Sequence, residues 1–342
     1  MSEHQHVKQS LASIDVAKFI GSVLIFAMHC NVLENNANAS LALEILSRWG
    51  VPFFFISSSY FLFSKGTEGN ITKEHLRRYV FRVGMLYVLW GIFNLPSIYV
   101  MRLYQNDVAR AGTWLEFIKN SILSSTFTGS WYLLSSIFSA WLVFSLSKRF
   151  KTKTLLIITS IPYVLCALSS VYYGVLPSQV SSILSFLCFP LNVFNGCFYF
   201  SIGKMISEKE SELTRFFTHT RSVLLSLVFY LVYALELAMA KHFNVFGSTD
   251  VAFSTVALSS ALFFFCIQVK KDMKCSLLLR KLSTIIYCCQ GNVLIFNSLC
   301  KLLLGGHSIL AFILSCLVVA AICIIALSLQ KRTHWKWAKY LT

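Results

Sequence analysis

Ten apolar runs divide almost the whole chain, and they constrain its fold more than any other feature of the sequence. Apolar residues make up 56% of the 342 residues and charged residues only 13%, whereas a soluble domain carries about 25% charged residues. Most runs approach the length of about 20 residues that a membrane-spanning helix needs. The sequence therefore predicts an all-α, polytopic membrane helix bundle with about ten transmembrane helices. The predicted spans are residues 14–33, 49–64, 83–103, 129–147, 154–174, 185–206, 222–240, 250–269, 283–304 and 308–330.

The basic residues indicate how this bundle is oriented. If the N-terminus is inside, 23 of the 30 Lys and Arg fall in inner connections, 6 fall in outer ones, and Lys18 lies within a span. This asymmetry predicts that both termini are cytoplasmic. It divides the chain into a cytoplasmic tail (1–13), a transmembrane domain (14–330) and a basic cytoplasmic tail (331–342). The net charge of +16 is spread over these short clusters, so we expect the lipid bilayer, and no nucleic acid, as a partner.

The eleven cysteines do not indicate a disulfide framework or a metal site. Most lie in apolar spans, where a free Cys behaves as a small hydrophobic residue. No pair of them has zinc-ligand spacing with partner histidines. We therefore predict no metal and no tightly bound cofactor.

Lys18 and His29 are the first candidate functional residues. They lie eleven positions apart in the first apolar run, so a helix brings them to one face about 20° apart, and about 16 Å apart along its axis. A cation and an imidazole inside a span are costly and usually functional. His29 is the one histidine within a predicted span, and a neutral imidazole can act as a general base near neutral pH.

Simpler explanations remain open for each member of this pair. Lys18 lies about one turn from the cytoplasmic end, where it can extend its amine to the interface or pair with Asp15. His29 can be a polar residue near the outer interface that bonds to a neighbouring helix. The functional interpretation is that Lys18 meets an anionic ligand at the inner mouth and that His29 takes part in catalysis.

Further polar and aromatic residues lie at or within the spans. Arg78 and Arg82 share a helix face at the cytoplasmic surface, a pattern that suits phosphate recognition, although topology and contact with anionic lipid explain most such clusters. Most polar groups inside the spans are expected to be interhelical hydrogen-bond partners. Candidates for lining an acceptor path or channel are Trp131, Tyr132, Asn195, Glu236 and Gln290.

Four stretches of the chain carry motifs in a defined order: Ser13–Ile20 with Met28 and His29, Arg48–Ser57 with Tyr60–Leu62, Arg82 with Tyr87 and Trp90, and Ser130–Leu133. Their order and spacing resemble acyltransferase family 3, the bacterial membrane acyltransferases that modify cell-surface glycans. The first of these stretches is similar to the family's first helix, with a basic residue, a gap of ten residues and a histidine. The second is similar to its "VPFFFxxSGYFL" pattern, the third to the start of its third helix and the fourth to its "WYL" motif. Phe194–Asn195 through Gly203 and Ser283–Tyr287 fit more weakly.

The chain departs from the family pattern at four places. The basic residue of the first helix is Lys18, where Arg is frequent, and Ser59 precedes Tyr60, where Gly is usual. The arginine motif has the spacing Arg78-x-x-x-Arg82. Gln290 stands at a position that is often His in the family, so a mechanism with two bundle histidines is not available to this chain.

The resemblance implies transfer of an acyl group, most often acetyl, from cytoplasmic acyl-CoA to a hydroxyl of a cell-surface polysaccharide or lipid-linked sugar. It implies that Lys18, Arg78 and Arg82 hold the acyl-CoA, that His29 is the catalytic residue assisted by Lys18, and that the protein lies in the bacterial cytoplasmic membrane. The alternative is a transporter of a small polar substrate such as an amino acid. A non-catalytic scaffold is a third possibility, but it gives the Lys18–His29 pair no role.

Overall fold

The structure is a computed structural model that describes residues 12–66, 69–104, 126–188, 193–269, 273–331 and 336–342. Within these ranges the regular structure is helical. The α-helices are α1 (Ala12–His29), α2 (Ala37–Ser47), α3 (Gly50–Phe63), α4 (Lys73–Phe93), α5 (Leu95–Tyr104), α6 (Ser130–Ser147), α7 (Thr152–Leu168), α8 (Ser178–Cys188), α9 (Val193–Glu208), α10 (Glu210–Phe216), α11 (His219–His242), α12 (Phe253–Gln268), α13 (Ser276–Cys288), α14 (Gln290–Leu303) and α15 (Ser308–Lys331). Two short 3₁₀ helices cover Tyr173–Val175 and Lys336–Leu341.

The all-α membrane bundle predicted from the sequence is present, but the number of ten spans is not confirmed. In the described part of the chain, five segments are long and apolar enough to cross a membrane: Ala12–His29, Ala37–Phe63, Ser130–Ser147, His219–His242 and Ser308–Lys331. A sixth is available if α13 and α14, which meet at a bend of 63°, count as one span. The cytoplasmic position of both termini stays a prediction, and residues 1–11 and 332–335 of the predicted tails lie outside the described ranges.

The remaining predicted spans correspond to short or interrupted helices. Helices α7 and α12 are apolar but have only 17 and 16 residues, so at about 1.5 Å per residue they fall short of a hydrocarbon core of about 30 Å. The predicted span 83–103 is divided at Asn94 between α4 and α5. The predicted span 185–206 falls on α8 and α9, and residues 189–192 between them lie outside the description.

Helices α1, α3 and α13 form the part of the core that positions the site. Helix α13 runs parallel to α1. Near the start of both helices Ser276 bonds to Asp15, and seven residues further along each helix the Ser22 hydroxyl donates to the carbonyl of Ser283. Helix α3 runs the opposite way. Its first residue, Gly50, packs so closely on α1 that a Cβ there would lie 2.8 Å from the side chain of Ile25. A larger residue at this position would require the Ile25 side chain to move.

This packing gives the bundle two distinct ends. We call them the Lys18 end, which also holds the last turn of α3 and the C-terminal 3₁₀ helix, and the His29 end. At the His29 end, Arg48 forms an ion pair with Asp250, and Lys301 bonds to Glu34 at 2.9 Å. The charge asymmetry of the sequence predicts that the Lys18 end faces the cytoplasm.

Candidate functional site

A cavity of about 720 Å³ opens within the bundle at the Lys18 end. Its walls come from α1, α3, α4, α6 and α13, and Tyr340 and Thr342 of the C-terminal segment also line it. The sequence-predicted residues Lys18, Arg82 and Tyr132 are among the lining residues. Residues that lie far apart in the sequence are therefore brought together in one polar and aromatic cavity.

In the described part of the chain, four cations line this cavity, and three of them come from its helices: Lys18 from α1, Arg82 from α4 and Arg280 from α13, with Lys65 just after α3. The three helical cations interact electrostatically with one another. Among the residues that the structure describes, Lys18 and Arg82 have no carboxylate within salt-bridge distance. Like charges that share a cavity repel, so this arrangement is suited to an anionic ligand that comes between them.

Arg280 has a carboxylate partner, and that partner is Asp15. The Asp15 carboxylate is 1% exposed and receives the Arg280 Nε and Nη2 hydrogens at 2.9 Å each. The Ser276 hydroxyl donates to the same carboxylate at 2.5 Å. The pairing of Lys18 with Asp15, which the sequence left open, is therefore wrong: the fork of Arg280 occupies both carboxylate oxygens, and the Lys18 amine lies 5.6 Å above the ring of Phe61.

Three aromatic rings in contact with one another form part of the cavity wall. Phe54, Tyr132 and Tyr287 come from three different helices, and all three line the cavity. Their ring centroids are 6.0 Å apart for Phe54–Tyr132, 5.7 Å for Phe54–Tyr287 and 5.6 Å for Tyr132–Tyr287, with interplanar angles of 66°, 88° and 77°. Each pair has the edge-to-face geometry that aromatic quadrupoles favour. We call this set the ring triangle.

Hydrogen bonds hold the two tyrosines of the ring triangle. The Tyr132 hydroxyl lies 2.9 Å from the Ser58 hydroxyl, and the Tyr287 hydroxyl donates to the carbonyl of Gly129 at 3.0 Å. Gly129 has a φ of 83°, which L-residues with a side chain rarely adopt. A Cβ at this position would also lie 3.3 Å from the Tyr287 ring. The glycine thus lets the start of α6 approach the ring closely.

His29 lies at the opposite end of α1 from Lys18 and does not line the cavity. Its side chain is exposed, and Arg48 and Asp250 are charged groups that interact with it electrostatically. On α1 the cavity reaches Ser22, two turns before His29. The structure therefore places Lys18, the predicted phosphate-binding residue, in the cavity wall and His29, the predicted base, outside the cavity, eleven residues further along the same helix.

Arg78 and Trp131 neighbour cavity residues without lining the cavity themselves. The side chain of Arg78 is 72% exposed, and its Nε donates to Glu74 at 2.9 Å. Trp131 packs against Phe55 at a ring distance of 6.1 Å. Helical geometry explains both cases, because adjacent positions point about 100° apart and residues four apart drift by about 40°.

Asn195, Glu236 and Gln290 also lie outside the cavity lining. Glu236 instead caps the start of α12, where it accepts the backbone amides of Phe253 and Ser254 at 2.8 Å each. Asn195 is 6% exposed. Gln290 is fully buried at the first position of α14, and neither of its amide atoms has a hydrogen-bond partner in the described part of the chain.

Arg280 and Asp15 are the site residues that sequence reasoning missed. In the sequence, Arg280 lies in the basic connection before the ninth predicted span, and nothing near it marks it as different from the other cations there. The available signal was Asp15, because an acidic residue inside an apolar run needs a partner that neutralises it.

Comparisons with known proteins agree with the motifs. The family model of acyltransferase family 3, described as an acyltransferase domain, matches residues 11–328. An amino-acid racemase of Enterococcus faecalis is 28% identical over 210 residues, which are 58% of this chain and 28% of that protein. A second amino-acid racemase of the same organism is 22% identical over 175 residues, which are 49% of this chain and 24% of that protein. The chain thus matches about a quarter of the length of these relatives. No solved structure matches it.

Proposed function

The chain belongs to acyltransferase family 3, and from that membership we propose that it moves an acyl group from cytoplasmic acyl-CoA to a hydroxyl of a cell-surface polysaccharide or lipid-linked sugar. The acyl group is acetyl in the simplest case, and the protein lies in the bacterial cytoplasmic membrane. The observation that carries this proposal is the cavity in which Lys18, Arg82 and Arg280 converge. Acyl-CoA acts as a co-substrate that binds and leaves in each cycle.

The cavity suits the donor in charge and in shape. Coenzyme A carries several phosphate charges, and guanidinium and ammonium groups bind phosphate through short charge-assisted hydrogen bonds. Beyond the three cations the walls become aromatic and hydroxylic, with Ser58, Tyr132 and Tyr287. We expect the phosphates at the cations and the thioester arm directed towards the ring triangle. Arg78, which is paired with Glu74 at the surface, adds to the positive field outside the cavity.

The transfer itself exchanges one acyl bond for another. The acceptor oxygen attacks the thioester carbonyl carbon, the new C–O bond forms, and the C–S bond breaks to release the coenzyme A thiolate. His29 takes the hydroxyl proton as general base and then supplies it to the thiolate. We propose that the acceptor approaches from the His29 end. Because His29 does not line the cavity, this scheme requires the cavity wall, including the ring triangle, to move during the cycle.

Removal of the imidazole tests this scheme. The His29→Ala protein should bind acetyl-CoA with unchanged affinity and lose transfer of radiolabelled acetyl groups by at least about 100-fold, the scale of general base catalysis. His242→Ala, at the exposed end of α11, is the matched control and should retain transfer. Full activity of His29→Ala would remove His29 from the mechanism. A wild-type protein that neither binds acyl-CoA nor transfers from it would overturn the function.

Transport of an amino acid is the second candidate, and the comparisons supply the observation that favours it. Both curated relatives are named amino-acid racemases, so the matching segments occur in proteins that act on amino acids. Polar residues within a bundle also suit a substrate path. Uptake of labelled amino acid into proteoliposomes without acyl-CoA would support transport, whereas coenzyme A co-purified with the protein and detected by mass spectrometry would support the acyltransferase.

A further inference from the structure

We propose that Asp15 and Ser276 position Arg280 as a phosphate-binding residue of the donor cavity. This inference rests on the proposed function and names the part of the donor that Arg280 binds. Arg280 contacts the ligand, whereas Asp15 acts through Arg280 and is a positioning residue. The residues come from the start of α1 and the start of α13, which run in parallel at the Lys18 end.

The geometry leaves the outer part of the guanidinium available to a ligand. A guanidinium has five N–H donors in a planar fork. Asp15 takes the Nε hydrogen and one Nη2 hydrogen, so three N–H donors, including both on Nη1, remain. The Arg280 side chain is 42% exposed and lines the cavity. Two parallel N–H groups on one face of the fork match two oxygens of a phosphate.

Burial of Asp15 makes this orientation strict. The carboxylate is 1% exposed, and a buried charge is tolerated only when it is paired and its lone pairs are bonded. Three donors converge on it, two from Arg280 and one from Ser276. The carboxylate therefore fixes both the position and the plane of the guanidinium. A lysine at position 280 would keep the charge but could not make the two parallel bonds.

The neighbouring charges point to an anion of high charge. Lys18 and Arg82 act on Arg280 and on each other, and neither is neutralised by a carboxylate in the described residues. Asp15 offsets the charge of Arg280, whereas Lys18 and Arg82 contribute positive charge to the cavity without a carboxylate partner in the described residues. Arg280 contributes directed hydrogen bonds. We infer that Lys18 and Arg82 attract the phosphate and that Arg280 fixes its orientation.

The test measures the dissociation constant of coenzyme A with the purified full chain in lipid nanodiscs. Arg280→Lys and Asp15→Asn should each weaken binding by about 10- to 100-fold, the range expected for loss of hydrogen bonds to a charged group. Lys281→Gln is the matched control. Lys281 is the adjacent cation and bonds to Gln330, outside the cavity lining, so its replacement should leave the affinity within about twofold.

A charge exchange separates positioning from a structural role. The double variant Asp15→Arg/Arg280→Asp can re-form the buried ion pair but directs a carboxylate into the cavity. We expect its thermal midpoint to recover relative to either single variant, while coenzyme A binding stays lost. Recovery of both would show that the pair is only structural and would overturn the inference. If the exchanged pair fails to fold, Arg280→Lys decides the matter, since an unchanged affinity in that variant also overturns it.

The inference and the proposed function can fail separately. If wild-type protein does not bind coenzyme A, the acyltransferase proposal is in error, and inorganic pyrophosphate then probes the anion site by itself. If pyrophosphate stabilises the wild type but not Arg280→Lys, the assignment of Arg280 to a phosphate site stands. Equal responses of the two proteins would reject it.

Discussion

Asn94, at the break between α4 and α5, bonds to the break between α13 and α14, and Asn292, beside that second break, bonds back to the first. The Asn94 side chain donates to the carbonyl of Cys288, at the end of α13, and accepts the amide of Asn292 in the first turn of α14, at 2.9 and 3.1 Å. The Asn292 side chain donates to the carbonyl of Phe93, at the end of α4, and accepts the amide of Ser97 in α5, at 2.6 and 3.0 Å. The two breaks are thus bridged reciprocally.

This reciprocity solves a problem that arises wherever a membrane helix is interrupted. A break leaves carbonyls and amides without partners in the helix, and hydrocarbon offers no substitute. Two breaks placed side by side, each with an asparagine, satisfy one another. Gly291 leaves room for the Asn94 side chain at this contact, because a Cβ on Gly291 would lie 2.6 Å from Asn94 Oδ1.

Replacement of either asparagine should therefore destabilise the bundle. We expect Asn94→Ala and Asn292→Ala each to lower the free energy of unfolding by about 1–3 kcal/mol, because each change removes the partners of backbone groups at a helix break. Since the residues share one network, the double variant should lose less than the sum of the two. Denaturation of purified protein in mixed micelles measures all three values.

Asn297→Ala is the control for this network. Asn297 is also buried but makes a single interhelical bond, to Ser315 at 3.1 Å, and such bonds average about 0.6 kcal/mol in membrane bundles. Strict additivity of the Asn94 and Asn292 variants would show that the breaks are not coupled.

Removal of one ring from the ring triangle should expose a bound thioester to water. Phe54→Ala removes one of the three rings that line the donor cavity, so we expect water from the His29 end to reach the thioester. We expect hydrolysis of acetyl-CoA without acceptor to rise by about tenfold or more in a thiol-release assay. Phe53 lies on the same helix, is buried and does not line the cavity. Phe53→Ala should therefore leave hydrolysis at the wild-type rate. Equal rates in Phe54→Ala and wild type would show that the triangle is not the barrier.

Lys18 should act on donor affinity more than on turnover. Its amine faces the cavity and has no carboxylate partner in the described ranges, so Lys18→Ala removes attraction without exposing a buried charge. We expect the KM for acetyl-CoA to rise about tenfold, kcat to change little, and the effect to shrink as salt increases. Lys241→Ala, at the end of α11, should change neither constant. A fall in kcat alone would instead assign Lys18 to the chemical step.

The connection after α1 should contribute stability that depends on pH. A hydrogen bond from Ser308, and then one from Lys301, lowers the pKa of Glu34 below its usual value. The folded protein therefore binds the Glu34 proton less tightly than the unfolded chain, so the contribution is complete above the usual pKa of about 4.3 and is lost as the pH falls further. The thermal midpoint of Glu34→Gln should lie below that of the wild type at pH 7, and the two should converge in acid. A difference that stays constant from pH 7 to pH 3 would contradict this origin.

Hydropathy predicts the class of fold well and its interruptions poorly. The longest predicted span, 308–330, corresponds to the uninterrupted 24-residue helix α15. The ninth predicted span ran through residues 283–304 without a break, whereas the chain bends by 63° between α13 and α14. Residues 288–291 are Cys, Cys, Gln and Gly, a stretch without proline, and Asn94, about 200 residues away, bonds to both sides of the bend. A local pattern cannot reveal a break whose partner is so distant.

The sequence predicts those residues of the candidate site whose position follows from the spacing within a single helix. Lys18 and Arg82, which helical spacing and the family motif both indicated, line the cavity. Arg78, one turn away, was grouped with Arg82 but is bonded to Glu74 at the surface. Arg280 depends on a carboxylate 265 positions away, so its role becomes visible only when α1 and α13 lie side by side.

The pairing of Asp15 with Arg280 also has a consequence for how the protein is made. Translation adds about 5–20 residues per second, so roughly 13–50 s separate the insertion of Asp15 from the synthesis of Arg280. During this interval the first helix holds an acidic group whose only cationic partner in the described structure has not yet been synthesised. The membrane must therefore accommodate an unfinished bundle in which this carboxyl group has no cationic partner from α13. Truncation of the chain before residue 280 would leave the group in that state permanently.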